Sequence, residues 1–410
     1  MNNRNSSSFF LLENPIQQYP WGSDHWIQEL LSIPEKANNN PMAELWMGAH
    51  SKASSLVIDG KGKKPLNAMI QENPAFYLGE KIVPYFTTLP FLFKLLAAAS
   101  PLSIQAHPDK EQALEGFLKE EAAGIPPGAE YRNYKDPNHK PEIICALTPF
   151  TALCGFRERQ VIIDLLAQLE IPTFGASLSV LARKEEAAAY RGFLQSLFQL
   201  SSEERQGLTQ RAIQKLPILK INRPDLKKEW DLVEQFCSLY PGDPAVFSPL
   251  YLNVIELAPG EALFLPAGIL HAYVHGFGFE LMANSDNVLR GGLTQKHIDV
   301  EGLLRILRFE PFKPDILRGV SISPCTKVYP SPVKEFSLFR MDLDGSGTEE
   351  IPGGTPEILI ILEGSFSLTD GDQKIHIGKG QSVFLPATRN TVTVEGRGII
   401  FGASTGNTFL

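Results

Sequence analysis

The sequence predicts a mainly β protein in which two jelly-roll β-barrels are joined to an all-helical insertion. Three observations lead to this fold class: short strand-like runs between Gly and Pro turns, a central stretch of helical periodicity, and a ten-residue repeat found in both β-rich parts. The expected domains are a first barrel formed by residues 1–155 and 241–325, the helical insertion at 156–240, and a C-terminal barrel at 326–410.

Composition and charge bound the class of protein. Of the 410 residues, 43% are hydrophobic and 20% charged, the balance of a folded globular protein and not of a disordered chain. The 38 basic and 46 acidic residues give a net charge of −8, which argues against nucleic-acid binding because phosphate neutralisation needs excess cations. The most apolar run, Leu89 to Leu102, contains Lys94 and Pro101 and is too short to cross a membrane. The four cysteines show no zinc-knuckle or disulfide spacing, so we expect a soluble, reduced, cytoplasmic protein with no membrane partner. We expect the chain to be a monomer.

The first clear strand is predicted at Pro101–His107, because polar and apolar residues alternate there and Pro108 cannot continue a ladder. Ser103, Gln105 and His107 share one face of this strand. A Gln-x-His pair alone is more often an exposed polar face than a binding site, so it needs support from elsewhere in the chain. A helix is expected from Asp109 onward.

The central stretch and the repeat define the remaining blocks. Apolar residues recur at three- and four-residue steps between Val161 and Leu169, and Ser202 followed by two glutamates indicates a helix start. The segments at 259–268 and 379–388 repeat a Gly turn, a strand and a Pro-Ala end with an offset of 120 residues, which indicates two related barrel halves, as in cupins.

Two further segments supply candidate ligands. Lys140 and Glu142 share a strand face, although alone they would be a surface ion pair worth under ~1 kcal/mol. His271 and His275 follow the first copy of the repeat, and His275 is expected to be a packed or solvent-facing residue. With the amide and the imidazole of the first strand, these segments offer two imidazoles, a carboxylate and an amide oxygen, a set that suits Zn²⁺ or a similar divalent ion. A loop rich in Asp, Asn and Arg follows Glu280, where composition alone favours an ordinary Asx or Gly turn.

Seven longer sequence motifs, in the same order over about residues 10–310, resemble those of the type I mannose-6-phosphate isomerase family. They are Tyr19-Pro-Trp-Gly22, Pro41-Met-Ala-Glu-Leu-Trp-Met-Gly-Ala-His50, Pro90-Phe-Leu-Phe-Lys94, Pro101-Leu-Ser-Ile-Gln-Ala-His-Pro108, Asn133-Tyr-Lys-Asp-Pro-Asn-His-Lys-Pro-Glu142, Ala146-Leu-Thr-Pro-Phe150 and Met282-Ala-Asn-Ser-Asp-Asn-Val-Leu-Arg290. The C-terminal 100 residues share with the family only the general pattern of a second cupin-like barrel. We expect the first barrel to be the catalytic one and this second barrel to hold no metal.

The resemblance implies an activity and a set of site residues. The activity is the metal-dependent interconversion of mannose 6-phosphate and fructose 6-phosphate through an enediol, with one Zn²⁺ per chain and a phosphorylated hexose as substrate. The implied zinc ligands are Gln105, His107, Glu142 and His271. The implied catalytic arginine is Arg290, with Glu280, Asp286 and Lys296 lining the catalytic cavity. The implied substrate contacts are Lys94, Ser103 and Lys140. Gly291 stands where the family commonly has Ala.

The chemistry of such an isomerase is the transfer of a proton from C2 of the open-chain aldose to C1. A metal held by neutral ligands and one carboxylate keeps a net positive charge and polarises the substrate oxygens. Arg290 stays protonated and can stabilise the enediolate without transferring a proton. The sequence leaves the base open among Glu280, Asp286, Lys140 and a metal-bound water.

Two other classes of cupin protein use similar residues. A cupin oxygenase would also use two histidines and a carboxylate, but with redox-active iron and an apolar pocket. A sugar-binding cupin without activity would need no group to stabilise an enediolate. The cations Lys94, Lys140 and Arg290 favour an anionic sugar substrate, and the absence of a Gly-rich nucleotide-binding pattern argues against an attached nucleotidyltransferase.

Overall fold

The computed structural model of the chain describes residues 7–34, 40–59, 62–183 and 185–406. The strands up to residue 156 are β1 (Phe10–Glu13), β2 (Ile16–Gln17), β3 (Glu44–Gly48), β4 (Leu56–Asp59), β5 (Gly62–Pro65), β6 (Phe91–Ala98), β7 (Ile104–Ala106), β8 (Glu142–Ala146) and β9 (Phe150–Phe156). The later strands are β10 (Leu252–Leu257), β11 (Ala262–Leu265), β12 (His271–Ala283), β13 (Leu289–Gly292), β14 (Ile316–Leu317), β15 (Val320–Ser321), β16 (Thr326–Tyr329), β17 (Ser337–Ile351), β18 (Glu357–Asp370), β19 (Gln373–Gly378), β20 (Ser382–Leu385) and β21 (Val392–Ser404).

The helices are concentrated in the middle of the chain. They are α1 (Trp26–Leu30), α2 (Leu66–Glu72), α3 (Pro74–Leu78), α4 (Lys110–Ala122), α5 (Arg159–Ala167), α6 (Phe174–Arg183), α7 (Glu186–Phe198), α8 (Ser202–Asn222), α9 (Lys227–Leu239), α10 (Ser248–Tyr251) and α11 (Val300–Ile306). Within the described ranges, no helix is both long enough and apolar enough to cross a membrane.

One sheet is organised around the long strand β12. Its main path runs β14-β11-β8-β12-β6-β3-β2, and β7 and β9 also pair with β12. The antiparallel register places Glu280 opposite Lys94, Met282 opposite Glu142, and His271 opposite Gln105. Segments far apart in the chain are therefore brought together along a single strand.

The second sheet joins the two ends of the described chain. Its order is β15-β16-β17-β21-β18-β20-β1-β4-β5, with β19 paired to β18. Phe10 of β1 lies opposite Phe384 of β20, and Leu11 lies opposite Ile58 of β4. This sheet thus combines strands of the predicted C-terminal block with strands from before residue 66.

The two sheets share an apolar core. The rings of Phe279 and Phe401, one from each sheet, lie 4.5 Å apart between their centroids. Tyr329 of β16 donates from its hydroxyl to the carbonyl of Gly260 at 2.9 Å. The molecule is therefore mainly β, with large sheets packed on each other and helices gathered between β9 and β10.

The strand that carries Gln105 is shorter than predicted. Pro101 to His107 was expected to be extended throughout, but only Ile104–Ala106 has ladder pairing, because the flanking prolines have no amide hydrogen to donate. Ile104 and Ala106 are fully buried, in one core with side chains of the helical segment. Asp109 caps the following helix by accepting from the Gln112 amide at 2.8 Å, as predicted.

The helical segment and the repeat also follow the sequence pattern. Helices α5 to α9 occupy residues 159–239, and α8 is capped by Ser201, one residue before the predicted start, in a reciprocal pair with Glu204. In the repeat, Gly260 and Gly380 both adopt a left-handed conformation, with φ of 85° and 80°. Each precedes a four-residue strand, so the repeat extends to the backbone.

Candidate metal centre and substrate cavity

Three buried side chains from separate elements converge on one point. His107 follows β7, Glu142 begins β8, and His271 begins β12. Their potential ligand atoms all lie within 4.8 Å of one another. Nε2 of His107 is 3.3 Å from Oε1 of Glu142, and Nε2 of His271 is 3.4 Å from Oε2. The sequence-based prediction that these three residues meet is confirmed.

Backbone carbonyls orient both imidazoles. Nδ1 of His107 lies 2.7 Å from the carbonyl oxygen of Asn287, and Nδ1 of His271 lies 2.9 Å from that of Ile269. Because a carbonyl only accepts, each Nδ1 must carry the proton of a neutral ring. Each Nε2 therefore presents a lone pair to the carboxylate, the arrangement usual for histidines that bind metals.

These facing atoms fit a divalent cation. Nε2 of both histidines and Oε2 of Glu142 are buried without a hydrogen-bond partner within the described residues, while Oε1 of Glu142 faces Lys140. Lone pairs that face one another repel unless a cation lies between them, and a set of two imidazoles and one carboxylate is a common zinc site that leaves positions open for substrate. The donor set therefore fits Zn²⁺.

The protonation states agree with metal binding. Burial, followed by the charge of Lys140, lowers the pKa of His107 from 6.5 to about 4. Burial alone would raise the pKa of Glu142, but Lys140 and the two histidines hold it well below its usual value. Lys140 Nζ lies 2.7 Å from Oε1 of Glu142, with 9% and 0% of the two side chains exposed. The surface ion pair that these residues alone suggested is therefore wrong, because the pair is buried.

Gln105 and Arg290 occupy neighbouring strands beside this centre. In the register of β7, Gln105 lies opposite His271 on one side and opposite Arg290 on the other. Arg290 is half-buried, and no carboxylate of the described residues lies within 4.0 Å of its guanidinium; burial lowers the pKa of this side chain. An arginine is charged at all relevant pH values, so Arg290 offers a cation without a counter-charge. Gln105 as a fourth ligand stays a prediction.

Lys94, predicted to contact the substrate, lies in a buried network with two carboxylates. Its Nζ is 2.8 Å from Glu280 and 3.6 Å from Glu44, and it lies 5.3 Å from the centre of the Trp46 ring. Burial alone would lower the pKa of Lys94, but the two carboxylates raise it above its usual value. Burial raises the pKa of Glu280, with Lys94 opposing. Both lysines predicted to bind phosphate, Lys94 and Lys140, thus have carboxylate partners.

Asp286 lies at the outer edge of the cavity. Its carboxylate is 2.6 Å from Nζ of Lys52 and 3.6 Å from Nε2 of His50. Burial would raise the pKa of Asp286, but the lysine and the imidazole lower it below its usual value. His50 is 3% exposed, and burial lowers its pKa to about 4, so it is neutral near pH 7.

Two further cations near Arg290 have no carboxylate within 4.0 Å among the described side chains. They are Lys135, which is half-buried, and Lys296, which is exposed. Burial and then the charge of Lys52 lower the pKa of Lys135; Asp286 opposes them, and the charges of Arg290 and Lys296 lower the pKa further. The half-buried hydroxyl of Ser103 makes no hydrogen bond within the described ranges. The cations Lys52, Lys135, Arg290 and Lys296 form the positive rim of the site, with Asp286 beside them.

The 133–141 loop, which leads into β8, is anchored by Asn287. The amide nitrogen of this fully buried residue donates to the carbonyls of Asp136 at 2.7 Å and Asn138 at 2.9 Å. Its amide oxygen accepts from the backbone of Lys135 at 2.7 Å. Asn287 therefore holds both His107, through its own carbonyl, and the loop that positions Glu142.

Four residues around the site were assigned no role from the sequence, although they lie within the family motifs quoted above. They are Glu44, Trp46, His50 and Asn287. A pattern of alternation could not reveal them, because their partners come from distant segments. His275 is exposed, as predicted, and packs edge-on against Trp26 at 5.5 Å.

Comparison with known proteins extends these findings to nearly the whole chain. A family model described as the catalytic domain of type I phosphomannose isomerase matches residues 9–159, and one described as the mannose-6-phosphate isomerase cupin domain matches residues 326–403. The mannose-6-phosphate isomerase of Escherichia coli is 41% identical over 392 residues, covering 94% of this chain and 97% of the relative. The human mannose-6-phosphate isomerase is 34% identical over 415 residues, covering 93% and 94%.

Solved structures agree. A point mutant of the Salmonella typhimurium phosphomannose isomerase superposes with a TM-score of 0.89 at 38% identity, covering 97% of this chain and 100% of the other. The Salmonella typhimurium mannose 6-phosphate isomerase bound to fructose 6-phosphate and zinc gives a TM-score of 0.86 at 40% identity, with the same coverage.

Proposed function

Since the chain belongs to the type I phosphomannose isomerase family, we propose from its geometry which residues carry the reaction. The protein is a metal-dependent isomerase that interconverts mannose 6-phosphate and fructose 6-phosphate, with zinc as its cofactor. The observation that carries the assignment of residues is the buried group of His107, Glu142 and His271, in which Nε2 of each histidine faces a carboxylate oxygen and has no hydrogen-bond partner in the described part of the chain.

These three residues and Gln105 hold the zinc in this proposal. Zinc bound there would supply the positive charge that polarises the oxygens of the open-chain sugar. The carbonyls of Asn287 and Ile269 keep the two imidazoles in the tautomer that leaves Nε2 free. Lys140 neutralises part of the charge of Glu142, which preserves the net positive charge of the site.

Glu280 is the proposed base, which moves the proton between C2 and C1 through an enediol. A carboxylate whose pKa is raised by burial is suited to accept and return a proton near neutral pH. Lys94, 2.8 Å away, holds this carboxylate and balances its charge. Asp286 is less suited, because its pKa is lowered, so it orders the rim together with Lys52.

Arg290 stabilises the negative charge that develops on the enediol oxygens. It is half-buried, lacks a carboxylate partner among the described residues, and lies one strand from Gln105. A fixed cation in a site of low dielectric constant is most effective where charge appears only in the transition state.

The phosphate of the substrate is proposed to bind at the positive rim. Ser103, Lys135 and Lys296 have no hydrogen-bond or ion-pair partner for their side chains within the described ranges, and the nearby carboxylate of Asp286 is paired with Lys52. Lys94 and Lys140 stay predicted substrate contacts, although each is already paired with a buried carboxylate. Comparing mannose 6-phosphate with unphosphorylated mannose as substrates distinguishes lysines that bind the phosphate from lysines that do not.

We further propose the finer architecture. The repeat supports two jelly-roll barrels of cupin type, with residues 156–240 as an inserted helical domain and residues 326–410 as a barrel without metal. The cysteines, which show no disulfide spacing, support a location in the reducing cytoplasm, and we propose a monomer.

The test is an assay of fructose 6-phosphate formation combined with metal analysis. Chelation and His271→Ala are expected to abolish turnover, Zn²⁺ is expected to restore the chelated enzyme, and one zinc per chain should be found. His275→Ala, an exposed histidine on the same strand, is the matched control and should keep activity. Full turnover without metal, or equal activity in the two histidine variants, would contradict the proposal.

A further inference from the structure

The side chain of His139 is bound by a residue that lies next to the second sheet, and not by a residue of the sheet around β12. Asn287 anchors the backbone of the 133–141 loop as far as Asn138. His139 follows, and its one side-chain hydrogen bond within the described residues is to Glu335, at 2.7 Å between Nε2 and Oε1. Glu335 lies two residues before β17, in the sheet that joins the chain ends.

Glu335 is itself rigidly placed. Only 9% of the residue is exposed, and the next residue, Phe336, is fully buried in the core shared by the two sheets. The carbonyl of Phe336 accepts from the hydroxyl of Ser331 at 2.9 Å, and the carbonyl of Lys334 accepts from the amide of Gly406 at 3.1 Å. A carboxylate on such a segment can therefore fix the side chain it contacts.

The segment that contains Glu335 also contacts the residues just before β6, the strand that carries Lys94. Nζ of Lys334 lies 5.9 Å from the ring centre of Tyr85, in the stretch that leads into β6 and Lys94. A cavity of about 150 Å³ separates this stretch from His139 and Glu335. The segment around Glu335 thus contacts the chain just before two strands that carry charged residues of the site.

The contact between the two side chains is of the strong, charge-assisted kind. Burial alone would raise the pKa of Glu335, but the hydrogen bond and charge of His139 hold it below its usual value. The carboxylate is therefore ionised near neutral pH, and a hydrogen bond to an ionised group is stronger than one between neutral groups.

We propose that Glu335 is a positioning residue of the isomerase: by fixing His139, it holds the turn that places Lys140 on Glu142. The inference rests on the proposed roles of Lys140 and Glu142 at the metal centre. It gives the sheet that contains β17 a part in catalysis, although none of the proposed ligands comes from that sheet.

The expected effect is on turnover. Loss of a partner that orients metal-site residues typically lowers activity 10- to 100-fold, and Glu335 acts one residue further out, so Glu335→Ala should lower kcat about tenfold. Glu335→Gln should restore most of this loss, because its amide oxygen can still accept from His139. Glu350→Gln, an exposed carboxylate on β17, is the matched control and should leave kcat unchanged.

A double-mutant cycle separates positioning from general stability. If Glu335 acts through His139, then His139→Ala should also lower kcat about tenfold, and Glu335→Ala should cause no further loss in its presence. Zinc content and Tm are measured for every variant. Normal kcat in Glu335→Ala, or losses that multiply in the double variant, would overturn the inference. Should Glu335→Ala not fold, the kcat values of His139→Ala and Glu335→Gln test the positioning role instead.

Failure of this inference can be distinguished from failure of the proposed function. Lys140→Ala and Glu142→Gln are assayed in parallel. If both keep full activity, the assignment of the metal centre is wrong. If both are impaired while Glu335→Ala and His139→Ala are normal, only the positioning role of Glu335 is wrong.

Discussion

Arg290 lies directly opposite Gln105 in the antiparallel pair formed by β13 and β7. On its other side, Gln105 lies opposite His271, so a free cation, an amide and an imidazole occupy one row across three strands. Neighbouring strands are about 4.8 Å apart, which fixes the distance of Arg290 from the proposed metal ligands through the backbone and not through a mobile loop. The position of the positive charge is thus part of the sheet.

Arg290→Ala should lower kcat by roughly 10²–10³ and change KM far less, because enediolate charge exists mainly in the transition state. Arg290→Lys should be a poor replacement, since a planar two-pronged donor becomes a point charge. Steady-state kinetics with mannose 6-phosphate measure both effects. A raised KM with unchanged kcat would instead make Arg290 a phosphate clamp.

Lys135→Ala and Lys296→Ala should weaken kcat/KM for mannose 6-phosphate much more than for unphosphorylated mannose, because neither lysine has a carboxylate partner among the described residues. Lys94→Met should lower kcat/KM for both sugars, since it leaves Glu280 and Glu44 without their cation. The two sugars are compared for each variant. A loss confined to mannose 6-phosphate in Lys94→Met would restore the phosphate role first predicted for that lysine.

The zinc-free protein should lose stability as the pH falls from 6.5 toward 4. The pKa values of His50 and His107 are lowered to about 4 in the folded chain, so the unfolded chain binds more protons in this interval. His50→Gln should reduce the pH dependence of the unfolding free energy by at most about 1.4 kcal/mol per pH unit. Denaturant titrations across this range give the slope, with His275→Gln as the exposed control. An unchanged slope in His50→Gln would contradict the buried, neutral state of this residue.

Gly291→Ala should stabilise the protein by about 0.4–1 kcal/mol, because alanine restricts the unfolded chain. An added Cβ would lie 3.4 Å from side-chain carbons of Ile104, Leu270 and Leu303, an ordinary contact distance. Thermal unfolding measures the gain. Gly292→Ala is the contrasting variant, since its Cβ would lie 2.1 Å from Ala245. Destabilisation by Gly291→Ala would show that the backbone beside Arg290 needs its glycine.

The sequence was sufficient to find the three residues that could hold a metal, because they lie on strands or directly beside one and the alternation of those strands is visible. His107 and Glu142 lie beside buried apolar positions, and the sequence motifs that contain them resemble those of the type I isomerase family. The network around Lys94 was not predictable, because Glu44 and Glu280 reach it across β3, β6 and β12, and register between distant strands leaves no local pattern. The bond between His139 and Glu335 joins residues nearly 200 positions apart, with the same consequence.

The pairing of β1 with β20 has a consequence for synthesis. Roughly 370 residues separate Phe10 from its partner Phe384. At 5–20 residues per second, the ribosome needs roughly 20–70 s to make that length of chain, so β1 and β4 emerge long before the edge that they join. Their apolar residues, including Leu12 and Val57, are buried only when that sheet is complete. A nascent chain of this protein is therefore expected to depend on holding chaperones early, and a prematurely terminated chain to aggregate through these two strands.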